Sequence, residues 1–186
     1  MKKFNLIIFA ILIVAINFSC KKDKPVPVAN PPVQNEEELI TTMKLTFLDS
    51  SGVNPSMTFI FQDIDGPGGN LPTLFDTIRL NLSKTYFVSL ELLNESVSPA
   101  ENISDEVLAE GAQHLFCFET AIGGNLLINR TDSDGTYEIG LSSKWTTMNV
   151  SNGSVLIKLK HQPGIKNGLC DVGETDIELD FKVEIQ

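Results

Sequence analysis

The chain is poor in the residues from which most catalytic and metal sites are built. Among 186 residues there are two histidines, three cysteines and one tryptophan. It contains no Gly-x-Ser-x-Gly elbow, no His-Glu-x-x-His and no Cys-x-x-Cys. The usual motif-borne routes to nucleophilic, zinc-hydrolytic and dithiol chemistry are therefore missing. The glycine-rich run Gly66-Pro67-Gly68-Gly69-Asn70 lacks the Lys-Ser or Lys-Thr of a phosphate cradle, and no helical pattern follows it. It reads as a loop. Cations are scarce as well. Fourteen Lys and Arg face 24 Asp and Glu, a formal charge of −10, and the few cations alternate with acids, as at Lys182 between Asp180 and Glu184. Nucleic acid is excluded as a partner on that ground, because phosphate binding needs cations gathered along one face.

Long apolar runs are absent with one exception, Leu6 to Ile16, which is only eleven residues. A helix needs about 20 apolar residues to cross a bilayer core. Lys2 and Lys3 precede the run, and Asn17, Phe18, Ser19 and Cys20 follow it. That is the order of a signal peptide. The small Ser19 directly before Cys20 predicts cleavage between them, after lipid has been joined to the thiol of Cys20. One acyl chain holds a protein weakly, at about 0.8 kcal/mol per buried CH2, whereas two or three make a stable anchor. Residues 1–19 are thus expected to be removed, taking two lysines and moving the formal charge from −10 to −12. Residues 20–37 carry the lipidated cysteine and a spacer made extended by Pro25, Pro27, Pro31 and Pro32. The segment Phe18-Ser19-Cys20-Lys21-Lys22-Asp23 resembles the processing site of Bacteroidota-type lipoproteins. The resemblance implies a place in the bacterial cell envelope, at the outer membrane, on its periplasmic or surface face.

Residues 38–186 are of a size to form one domain. Their dominant period is two, with Ile177, Leu179, Phe181, Val183 and Ile185 alternating with Glu178, Asp180, Lys182 and Glu184. No helix sorts such a pattern into two faces. Shorter alternations predict strands at residues 43–47, 57–61, 86–92 and 155–159, with further candidates at 77–80, 114–120, 125–129 and 137–142. Turn formers separate them at 66–70, Gly123-Gly124, Asp134-Gly135 and Asn152-Gly153. About nine short strands predict an all-β fold, an antiparallel β-sandwich of immunoglobulin-like or related type. A single short helix is expected at 105–110, capped by Ser104 and ended by Gly111.

Two further resemblances attach to this region. Leu82-Ser83-Lys84-Thr85-Tyr86-Phe87-Val88-Ser89-Leu90 resembles the start of a strand in fibronectin type III domains, where a tyrosine bonds its own approach loop. Phe61-Gln62-Asp63-Ile64-Asp65-Gly66, Leu92-Leu93-Asn94-Glu95-Ser96 and Gly173-Glu174-Thr175-Asp176 are similar to a family of small Bacteroidota lipoproteins. Its members are sometimes labelled as having a type 1 periplasmic-binding fold. That label implies strands alternating with amphipathic helices, whereas the periodicity here implies sheets.

Asp63-Ile64-Asp65-Gly66 and Asp132-Ser133-Asp134-Gly135 each place two carboxylates one residue apart before glycine, a spacing able to turn oxygens toward calcium. An EF-hand loop would need an acid at positions 74 and 143, which are Leu74 and Ser143. Turn formation is the favoured reading and no metal ligand is assigned. His114 and His161 lie 47 residues apart in strand patterns and read as ordinary sheet residues. Trp145 is either a core anchor or a sugar platform, with core favoured. Cys117 and Cys170 form a pair once Cys20 carries lipid. They are open to a disulfide in an exported protein, or Cys117 is simply a small hydrophobe.

The expectation is a non-enzymatic, lipid-anchored envelope module with no cofactor, held to a membrane through Cys20. Its partner would be another envelope protein. The alternative is a small-ligand or glycan binder working through loops, with Trp145 and the Asp63–Asp65 loop as first candidates.

Overall fold

The computed structural model describes residues 38–66 and 68–186. The predicted leader, Cys20 and the spacer to residue 37 lie outside these. The described chain runs β1 (Thr42–Asp49), β2 (Met57–Gln62), β3 (Leu74–Phe75), β4 (Ile78–Leu80), β5 (Thr85–Asn94), β6 (Glu101–Asn102) and α1 (Ile103–Ala109). It continues with β7 (His114–Ala121), β8 (Leu126–Arg130), β9 (Ser142–Thr147), β10 (Ser151–His161) and β11 (Glu174–Ile185). The strands form two sheets. One has the order β3-β2-β1-β5-β9-β8, with β6 beside the end of β5, and the other has the order β4-β11-β10-β7. The result is an all-β sandwich with one short helix, antiparallel throughout except where β4 runs parallel to β11. No helix among the described residues is long and apolar enough to cross a membrane.

The period-two residues meet between the sheets. Met43, Leu45 and Phe47 of β1, together with Tyr86, Val88, Leu90 and Leu92 of β5, supply one inner face. Val155, Ile157 and Leu159 of β10, with Phe181, Val183 and Ile185 of β11, supply the other. Full burial of each such side chain contributes about 1.5–3 kcal/mol. Phe47 organises the centre, meeting Phe59, Tyr86 and Trp145 edge-to-face. Phe118 of β7 in turn meets Trp145 across the two sheets at 6.1 Å. Tyr86 also accepts a hydrogen bond on its phenol oxygen from the Asn81 backbone N–H, 3.1 Å away in the loop that leads into its own strand.

Three local expectations change. The predicted strand at 137–142 is a loop, and the strand comes later, at Ser142–Thr147. Gly140, with φ +98°, interrupts the extended backbone. In β9 the buried positions are Ser143, Trp145 and Thr147, so hydroxyl residues hid the alternation. Asn152-Gly153 is not a turn but part of β10, where Gly153 faces the Ala121 carbonyl so closely that a Cβ would clash. The helix is capped by Asn102, whose side chain accepts from the Ser104 N–H, while the Ser104 hydroxyl accepts from Leu92 N–H of β5. Ser104 therefore ties the helix to the sheet instead of starting it.

Candidate functional site

The site grows from a cross-strand pair. In β10 the inward positions 155, 157 and 159 continue to 161, and in β7 the inward positions 118 and 116 continue to 114. The antiparallel register sets His161 directly opposite His114. Both histidines therefore end the core-facing rows of their strands, their rings stacked 4.6 Å apart at 12°. His114 is fully buried and His161 is 7% exposed. The expectation of two ordinary sheet residues is right about their strands and misses that the strands bring them together.

The tautomer of His114 follows from its neighbour. Its Nδ1 lies 3.2 Å from the Glu110 carbonyl oxygen, which can only accept, so Nδ1 carries the proton and Nε2 presents a lone pair. Burial holds His114 below the ordinary imidazole value, with the nearby His161 acting the same way, so the ring is neutral at pH 7. Among the described residues neither His114 Nε2 nor His161 Nε2 has a hydrogen-bond partner, and both are shielded from solvent. Leaving such atoms unmatched costs about 1–3 kcal/mol each.

Carboxylates surround this pair. Glu110, just past the helix, offers an oxygen that lies with one ring nitrogen from each histidine in a group no more than 4.8 Å across. Glu38 stands on the other side, its Oε1 3.5 Å from His114 Nε2. Burial pushes the Glu38 carboxyl up to about 7, helped by repulsion from Glu106, Asp176 and Glu110.

Beyond Glu38 opens a cleft of about 480 Å³, walled by Leu39, Ile40, Phe61, Ile177 and Leu179 and carrying the acids Asp63, Asp176 and Glu178. A bulge shapes it. The pairing of β10 with β11 slips between Leu159 and Lys160, which makes Asp176 the extra residue on β11. Bulges of this kind re-aim a side chain at the margin of a sheet. Asp63 is buried, and its Oδ1 meets no hydrogen-bond donor among the described residues. Burial, and then the adjacent Asp65, raise its pKa. Asp65 is held the other way by Asn70, whose backbone N–H and side-chain amide both donate to its Oδ2 at 2.8 Å.

The second Asp-x-Asp-Gly sequence is a staple. Asp132 accepts from the N–H groups of Gly140 and Ser142. Asp134 accepts from Thr136 and Tyr137 and forms a buried ion pair with Lys166 at 2.8 Å. Lys166 and these backbone donors hold the Asp134 carboxyl down to about 2. Its oxygens are committed to the turn and to the loop between β10 and β11. Cys117 and Cys170 are joined in a disulfide that fastens the same loop to β7.

Trp145 is fully buried, and its indole N–H donates to the Ser143 hydroxyl at 2.9 Å. The sugar-platform reading of Trp145 is therefore corrected, because the ring has no open face and its one donor is satisfied within the core. Sequence reasoning offered Asp63 as a candidate, read both histidines as ordinary sheet residues and gave Glu38, Glu110 and Asp176 no role in a site. No spacing marks these, since they converge only through strand register and a bulge. No family model, curated protein or solved structure matches the chain.

Proposed function

We propose that the chain is a lipid-anchored protein of the bacterial cell envelope, at the outer membrane, with a non-enzymatic interaction or accessory role. The observation that carries this reading is the order Lys2-Lys3, a short apolar run, then Ser19-Cys20. The proline-bearing spacer after Cys20 supports it by giving the sandwich reach from a membrane surface. The Cys117–Cys170 bond supports it too, since such bonds persist in oxidising compartments.

Detergent phase partitioning of the expressed full chain tests the anchor. The wild type should enter the detergent phase and incorporate labelled fatty acid, and Cys20→Ala should do neither. Equal partitioning of the two would overturn the reading. The interaction role predicts a reproducible partner in pull-downs from solubilised membranes, and a clean blank would count against it.

The cleft favours a second reading, a small-ligand or glycan binder. Its apolar walls around a few convergent acids are what a small-molecule site requires. A ligand panel that includes a glycan array should then give a hit that Asp63→Asn abolishes. No hit across the panel would remove this reading.

A further inference from the structure

We propose that Glu110, His114 and His161 form a binding site for a divalent transition-metal ion of the zinc class, with Glu38 supplying a further oxygen from the cleft side. The inference is independent of the lipid anchor and of any ligand in the cleft.

Geometry and donor chemistry carry it together. Three potential ligands from three segments, the end of the helix, the start of β7 and the end of β10, place one donor atom each within 4.8 Å of the others. A tetrahedral ion with bonds of about 2.0–2.2 Å needs its ligands roughly 3.4 Å apart. Side-chain rotation, freest at the exposed Glu110, has to close that remaining gap. His114 Nε2 and His161 Nε2 are buried and unmatched, so each ring has a nitrogen to offer, and a turn of one of the stacked rings would bring both onto one cation. The Glu110 carbonyl already fixes the proton of His114 on Nδ1, the arrangement by which metal-binding histidines are commonly oriented. The nearby cation does not compete, because the Lys166 ammonium is taken up by Asp134 and the Gly111 carbonyl.

The donor set also selects among ions. Two imidazoles with one or two carboxylates suit zinc, copper or nickel, whereas calcium and magnesium require shells made of oxygen. The bland alternative is a stacked pair of histidines that fills the end of the core. It explains their burial but leaves His161 Nε2 without a partner, and gives His114 Nε2 only the Glu38 carboxyl at 3.5 Å.

The test uses the full chain in detergent, stripped with a chelator and titrated with Zn²⁺ alone, with Ca²⁺ and Mg²⁺ in parallel. Zn²⁺ at a hundredfold excess over its dissociation constant should raise the melting temperature by about 5–10 °C. The other two ions should not. Co²⁺ in place of Zn²⁺ should give visible ligand-field absorption. His161→Gln should abolish both signals. Glu110→Gln, at an exposed position where folding is not at stake, should weaken Zn²⁺ binding at least tenfold. An absence of Zn²⁺ stabilisation, or stabilisation unchanged in both His161→Gln and Glu110→Gln, would overturn the site.

Discussion

Two groups of carboxylates sit in this sandwich under opposite terms. Around Asp132 and Asp134 every charge has a use. Backbone N–H groups and the Lys166 ammonium saturate the oxygens, the disulfide crosses the same corner, and Asp134 is stabilised as an anion. Around Glu38 and Asp63 the acids are buried with too few donors, and both are driven toward the neutral form. The first arrangement spends its polar groups on holding a loop in place. The second leaves them short of donors, and that shortage is why the carboxyls there are driven toward neutrality.

Breaking the stapled corner should produce the largest effect. Replacing Cys117 and Cys170 by serine frees a loop of 53 residues. The chain-entropy model assigns such a closure about 4 kcal/mol. We expect the melting temperature to fall by about 10 °C, read by calorimetry of reduced-type and wild-type proteins. Lys166→Met comes next. It strands the Asp134 carboxylate in a buried setting, with an expected loss of about 3 kcal/mol in denaturant unfolding.

The unpaired end should respond in the opposite sense. The folded Glu38 carboxyl titrates near 7, above its ordinary 4.5. Its contribution to stability is thus complete below pH 4.5 and is lost as pH rises through 7. In metal-free buffer Glu38→Gln should remove that loss and gain about 2 kcal/mol at pH 8, with no gain at pH 4, after allowance for partial screening. The mirror experiment is the smallest. Asp134 titrates near 2, below its ordinary 3.8, so its contribution is present above pH 3.8 and is lost as pH falls through 2. Asp134→Asn should flatten that acid limb by about 1 kcal/mol once solvent screening is counted. If both variants shifted the pH profile in the same direction, the contrast between the two regions would collapse.

The fold was largely legible in the chain, for a physical reason. Alternation such as that of residues 177–185 is a local property, and one buried face per strand forces it. It failed where buried side chains carried hydroxyls, as at Ser143 and Thr147, and where a glycine sat in strand pairing, as at Gly153. The site was hardly legible. His114 and His161 become neighbours through the register of β7 on β10, and Asp176 reaches the cleft because β11 carries an extra residue. Register is a property of pairs of strands, and one sequence shows the strands singly.

The position of β11 bears on how the protein is made. This strand lies between β4 and β10, and it is the parallel partner of residues translated a hundred positions earlier. The four-stranded sheet therefore cannot be completed before residues 174–185 are in place, and its closure waits on partners far apart along the chain, whereas the other sheet needs no part of β11.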